Sequence, residues 1–156
     1  MAGIHTAEDA RLAVEHGVNA VWVSNHGARQ IDGVLASIDI LPEIVDAVQG
    51  RIEIYVDGGI RRGTSVFKAL AMGATAVFIG RPVLWSLASK VKSSIERLPS
   101  FRSIIDSTSC YYSIYQGEEG VSKMLELLNN ELTTTMTLAG SGLFLLVASC
   151  CCCQYL

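Results

Sequence analysis

The chain has 156 residues, half of them hydrophobic, with 12 Lys and Arg against 15 Asp and Glu and a formal net charge of −3. That length suits one domain, and a slightly acidic chain with no basic face interleaved with aromatics excludes a nucleic-acid binder. In chain order, Thr6 is a ready N-cap with Asp9 three positions on. Ala10, Ala13 and Val14 form a stripe and Gly17 closes it, which predicts a helix. Ala20-Val21-Trp22-Val23 is short, β-branched and aromatic, and predicts a buried strand. A second helix fits between Asp39 and Gln49, with Pro42 in its first turn and Gly50 after its end. Ile52-Glu53-Ile54-Tyr55-Val56 predicts the next strand. Val66, Ala69, Leu70 and Gly73 then fall at i, i+3, i+4 and i+7, with Thr64 able to cap the start and Gly73 suited to a left-handed end. Ala76-Val77-Phe78-Ile79 predicts a third strand. Such alternation with short loops implies an α/β fold, a parallel sheet covered by helices.

The residues that follow each predicted strand carry the chemistry. Behind the first strand comes Ser24-Asn25-His26-Gly27-Ala28-Arg29-Gln30, with a histidine and an arginine three positions apart. In α/β barrels, catalytic groups sit at the carboxyl ends of strands, so His26 is a candidate base. Arg29 can grip a carboxylate bidentately. Taken alone, the pair fits a loop histidine and a solvated charge as well. Behind the second strand comes Asp57-Gly58-Gly59-Ile60-Arg61-Arg62-Gly63, and behind the third Gly80-Arg81-Pro82. Gly58 and Gly59 let backbone N–H groups approach an anion, and the helix that follows presents its positive end. Arg61 and Arg81 can close on the same phosphate. Asp-Gly-Gly alone is also an ordinary tight turn; two arginine-bearing strand ends one βα unit apart favour the phosphate. A dinucleotide fold is excluded, because no Gly-x-Gly-x-x-Gly joins a strand to a helix.

In this order and at this spacing, the three motifs resemble the FMN-dependent α-hydroxy acid oxidases. That family includes the glycolate, or (S)-2-hydroxy acid, oxidases and the flavin-linked lactate and mandelate dehydrogenases. The similarity runs from about residue 3 to 88 and resumes over about 117–140. It implies a (β/α)8 TIM barrel whose strands six, seven and eight end in these motifs. It implies His26 as the catalytic base that also touches substrate, and Arg29 as the clamp on the substrate carboxylate. It further implies Ser24 as a flavin contact, and Asp57, Gly58, Gly59, Ile60, Arg61, Gly80 and Arg81 as holders of the ribityl and phosphate groups of FMN. The partners implied are a small, glycolate-like 2-hydroxy acid and oxygen, with hydrogen peroxide as product. Homo-oligomerisation of a full-length member is left open, and no metal is implied. The residue types suit that chemistry, since a flavin accepts electrons and the protein supplies orientation and a base of near-neutral pKa.

The departures are equally informative. The chain opens Met1-Ala2-Gly3-Ile4 where the family has Lys-Gly-Ile at the end of strand five, so Ala2 stands in the place of a flavin-contacting lysine. Strands one to five have no further counterpart, whereas a complete barrel takes about 250 residues. The expectation is therefore the carboxyl-terminal part of an oxidase, inactive alone, or a non-catalytic fragment that binds flavin or associates with another. Three parallel strands would leave an open edge. The expected units are a partial barrel at 1–88, a loop-like insertion at 89–116, a terminal barrel helix at 117–140 and an atypical tail at 141–156. Within the helix, Val121, Met124, Leu125, Leu128 and Leu132 form an apolar stripe. The tail carries a short apolar run, well below the ~20 residues that span a bilayer, and then Cys150 to Cys153. A non-homologous terminus is preferred there over lipidation or a metal site, and a membrane is not expected. With no signal peptide at its start, the chain is expected in a reducing compartment. The family is typically peroxisomal, but this chain ends Gln154-Tyr155-Leu156 rather than in the usual Ser-Lys-Leu type address; otherwise a cytosolic location is expected.

Overall fold

The computed structural model describes residues 1–87 and 117–140. The elements are β1 (Ala2–Ile4), α1 (Ala7–Glu15), β2 (Ala20–Val23), α2 (Ser37–Val48), β3 (Glu53–Val56), α3 (Gly63–Ala71), β4 (Ala76–Val77), helical residues 81–87 (α4) and α5 (Gly117–Leu138). The four strands form one parallel sheet in the order β1-β2-β3-β4. The order repeats the chain order because each crossover is a helix that returns the chain to the same edge. β1 lies outside the three-strand expectation: Ala2 pairs with Trp22 and Ile4 with Val23. β4 is only two residues long, yet the Phe78 N–H still donates to the Val56 carbonyl at 2.9 Å.

Pleating gives the sheet two unlike faces. Val21, Val23, Ile54 and Val56 point to the helices and are buried with Ala10 and Ala13 of α1, Ile40, Leu41, Ile44 and Val48 of α2, and Ala69 of α3. Truncating a fully buried side chain of this layer, such as Leu41 to Ala, costs about 2–5 kcal/mol. The other face carries aromatics. Trp22 stacks on Phe78 with ring centroids 4.2 Å apart, and Tyr55 meets Phe78 edge-on at 5.7 Å. The Tyr55 hydroxyl donates to Glu53, and that bond raises the phenol above its ordinary pKa. In a (β/α)8 barrel this helix-free face lines the interior.

Local chemistry explains the ends of the helices and where they differ from expectation. Thr6 caps α1 as expected, its Oγ1 accepting from the Asp9 N–H at 3.2 Å. α2 starts at Ser37 rather than Asp39, so Pro42 lies inside the helix and not in its first turn. The extra residues are drawn in because the Ser37 hydroxyl is buried against the β2 loop and accepts from the Asn25 N–H at 3.3 Å. Gln49, in the left-handed region, ends the helix ahead of Gly50. Thr64 does not cap α3. Gly63 opens that helix, and its N–H donates to the Glu131 carboxylate of α5 at 2.9 Å. Of the predicted stripe on α5, Leu128 and Leu132 are buried, Val121 and Met124 are half-buried, and Leu125 is exposed. α5 packs on α3. The expected insertion at 89–116 and tail at 141–156 lie outside the described residues. Among the described residues no helix is long and apolar enough to cross a membrane.

Candidate active site

The loops after β2, β3 and β4 leave the same end of the parallel sheet, so their residues meet there. The β2 loop is built around Asn25. Its Oδ1 accepts from the Gly27 N–H at 2.9 Å, an Asx turn, and its backbone carbonyl accepts from the Ala28 N–H at 2.9 Å. Its Nδ2 donates to the Leu35 carbonyl at 3.4 Å. The Ser24 hydroxyl accepts from the His26 N–H at 3.2 Å, and the His5 ring donates through Nε2 to the Ser24 carbonyl at 2.9 Å. The result is a turn in which His26, Gly27 and Ala28 all lie in the left-handed region, at φ of 53°, 65° and 57°. For His26 and Ala28 that conformation is strained, and such strain persists only where surrounding contacts hold it. The turn leaves both His26 and Arg29 exposed to solvent at the sheet end.

The β3 loop packs beneath it. The Asp57 N–H donates to the Val23 carbonyl at 3.2 Å. Gly58, at φ 90°, presses on the β2 loop so closely that a Cβ there would lie 3.2 Å from Ser37 Oγ and 3.4 Å from Asn25 Oδ1. Gly59, at φ 77°, faces open space. Ile60 is buried and pins the loop, while Arg61 is exposed with its guanidinium 5.3 Å from the centre of the Trp85 ring on α4. From the β4 side, Gly80 leads into α4, and Arg81 reaches back until its Nη2 is 3.5 Å from the Gly27 carbonyl. A Cβ on Gly27 would stand 3.0 Å from that nitrogen. Arg81 and Gly58 thus tie the β2 loop to its two neighbours, with Arg29 and Arg61 on the same loops.

One atom in this cluster is left without a partner. Asp57 Oδ1 is buried and makes no hydrogen bond among the described residues. An orphaned carboxylate oxygen at the foot of a glycine loop suits a hydroxyl-bearing ligand, which would donate to it. The open backbone at Gly59 and the guanidinium groups of Arg61 and Arg81 suit that ligand's phosphate. The start of α3, expected to face the anion, is not available: the Glu131 carboxylate fills it, and Glu131 also pairs with Arg62 at 3.2 Å. Asn25, Ser37, His5, Trp85 and Glu131 were not singled out by the sequence. Asn25 had a signal in the Asx-turn habit of its residue type; Glu131 had none, lying 68 residues from Gly63. Among the described residues no group of three His, Cys, Asp or Glu could hold a metal.

A parallel α/β sheet with a histidine, glycines and arginines on the loops at its strand ends fits a portion of a (β/α)8 barrel. The sequence model of the FMN-dependent dehydrogenases matches residues 1–100, and the chain belongs to that family, whose cofactor is FMN. It is 49% identical over 138 residues to 2-hydroxyacid oxidase 1 of Homo sapiens and to glycolate oxidase of Spinacia oleracea, in each case covering 88% of this chain and 30% of the relative. A solved structure of mandelate oxidase with benzoyl-formic acid superposes with a TM-score of 0.69 at 43% identity, over 89% of this chain and 34% of that one. The chain therefore spans about a third of the length of the relatives it matches. The names of the family and of these relatives, dehydrogenase and oxidase, are those of oxidoreductases.

Proposed function

We propose that the chain supplies the base, the substrate clamp and the phosphate side of an FMN site that oxidises a small (S)-2-hydroxy acid to the 2-oxo acid. His26 takes up one of the two protons released, and Arg29 grips the substrate carboxylate. Ser24 contacts the flavin, Asp57 accepts from a ribityl hydroxyl, and the backbone of Gly58, Gly59 and Ile60 with Arg61, Gly80 and Arg81 holds the phosphate. Bound FMN supplies the two-electron acceptor, and oxygen takes the electrons on to hydrogen peroxide. The observation that carries this reading is the buried, unpartnered Asp57 Oδ1 beside the arginine-bearing loops. The names of the relatives support the substrate class, a 2-hydroxy acid such as glycolate. A peroxisomal location goes with the same reading.

Flavin fluorescence quenching tests it. Arg61→Ala and Arg81→Ala each remove a charge-assisted contact worth about 1.5–3 kcal/mol, so FMN affinity falls about tenfold or more in each. Unchanged affinity in both variants refutes the phosphate roles. A second reading is an associating, non-catalytic fragment. It is favoured by the half-buried aromatic face of Trp22, Tyr55 and Phe78, which no helix among the described residues covers. Self-association without flavin uptake would favour it, and flavin uptake by a chain that stays monomeric would decide against the associating role.

A further inference from the structure

We propose that Glu131, on α5, is a positioning residue for the loop at residues 57–62, holding it in the shape in which Arg61 and the glycine backbone address an anion. This rests on the flavin reading above. Two adjacent arginines follow β3, and they take different partners. Arg62 goes to Glu131 Oε1 at 3.2 Å, while Arg61 goes to the Trp85 ring on the side of the β4 loop. Glu131 Oε2 meanwhile takes the Gly63 N–H, the residue at which the loop becomes helix. One carboxylate thus fixes the downstream end of the loop, neutralises the arginine that is not needed and fills the positive end of α3. The bond from Gly63, then that from Arg62, holds Glu131 below the ordinary glutamate pKa, so it is charged near neutrality.

The packing leaves this contact no slack. A Cβ on Gly63 would stand 2.3 Å from the Leu132 nitrogen and 2.6 Å from Glu131 Cβ, so the start of α3 meets the backbone of α5 with no room for a side chain between them. Leu128 and Leu132 anchor the same stretch of α5 by burial. At its other end, α5 sets Gly120 against the Ser86 carbonyl of α4, where a Cβ would stand 2.3 Å away. The terminal helix therefore braces both segments that follow the phosphate loops.

The test compares the wild-type chain with Glu131→Gln and Glu131→Ala by amide hydrogen exchange across residues 58–63 and by FMN affinity. The alanine variant should exchange about tenfold faster at Gly63 and bind FMN about tenfold more weakly. Glutamine keeps an acceptor for the Gly63 N–H and should restore both to within about threefold. Unchanged exchange in the alanine variant overturns the proposal. So does faster exchange with undiminished FMN affinity, or an equal loss in both variants, since a general folding role would then suffice. A wild-type chain that takes up no FMN removes the flavin reading instead, and the exchange result then decides the Glu131 contact by itself.

Discussion

Replacing Asn25 should release a strained turn, and the size of the effect follows from the bonds it makes. His26 and Ala28 sit at φ of 53° and 57°. Left-handed backbone costs a residue with a Cβ about 1–2 kcal/mol, so the turn stores roughly 2–4 kcal/mol. The best side-chain bond holding it is Asn25 Oδ1 to the Gly27 N–H at 2.9 Å. Asn25→Ala deletes that bond, a net loss of about 0.5–1.5 kcal/mol, and lets the turn relax toward ordinary backbone. At about 2–4 °C per kcal/mol for a chain of this size, thermal melting should fall by about 1–6 °C. Asn25→Asp keeps the oxygen and loses only the long 3.4 Å bond to the Leu35 carbonyl, so it should stay within about 0.5 kcal/mol. In a complete barrel, the alanine variant should also reduce flavin more slowly, because a displacement of about 1 Å at a reacting group can cost a hundredfold. Thermal melts give the first number and stopped-flow flavin reduction the second. If alanine and aspartate variants both match wild type in both assays, the turn is not held by Asn25 and the reasoning is wrong.

Four further outcomes are expected. In a complete barrel, His26→Gln should keep flavin content but slow its reduction by 2-hydroxy acid 10²–10⁴-fold, the usual share of a general base, while Arg29→Met should damage kcat/KM with flavin binding intact; near-normal rates in either would remove that residue's role. The 156-residue chain with FMN, oxygen and glycolate should form no peroxide above background, since four strands leave the flavin and substrate half-enclosed; robust peroxide formation would refute that. Glu131 has a lowered folded pKa, so its contribution to stability is present above the ordinary glutamate value of about 4.3 and is lost as pH falls through the folded value. Acid titration of Glu131→Gln should lack that part of the wild-type profile.

Elements with local signals were legible in the sequence. Thr6 with Asp9, the Val-Trp-Val run and Gly73 after its stripe each state a cap, a strand or an end within a few residues. The clustering of His26, Arg29, Asp57, Gly58, Gly59, Arg61 and Arg81 was legible too, because every parallel strand delivers its following loop to the same end of the sheet. What escaped depends on distance along the chain. Thr64 looked like the cap of α3, but the carboxylate of Glu131, 68 residues away, reaches Gly63 first. Helix α2 began early because Ser37 is claimed by Asn25, a partner no helical period reveals. β1 was too short to carry a period of its own and exists through its pairing with β2.

The bond between Gly63 and Glu131 also sets a timetable. It joins residues 68 apart, whereas the Asx turn at Asn25 joins residues two apart. During synthesis at about 5–20 residues per second, the two partners leave the peptidyl-transfer centre roughly 3–14 s apart. Helix formation takes about a microsecond, so the sheet and its first helices have ample time to collapse before α5 exists. Throughout that interval the phosphate loop has no downstream anchor. On the proposed flavin reading, the nascent chain therefore carries an incomplete anion site until α5 docks, and cofactor capture becomes a late event in maturation.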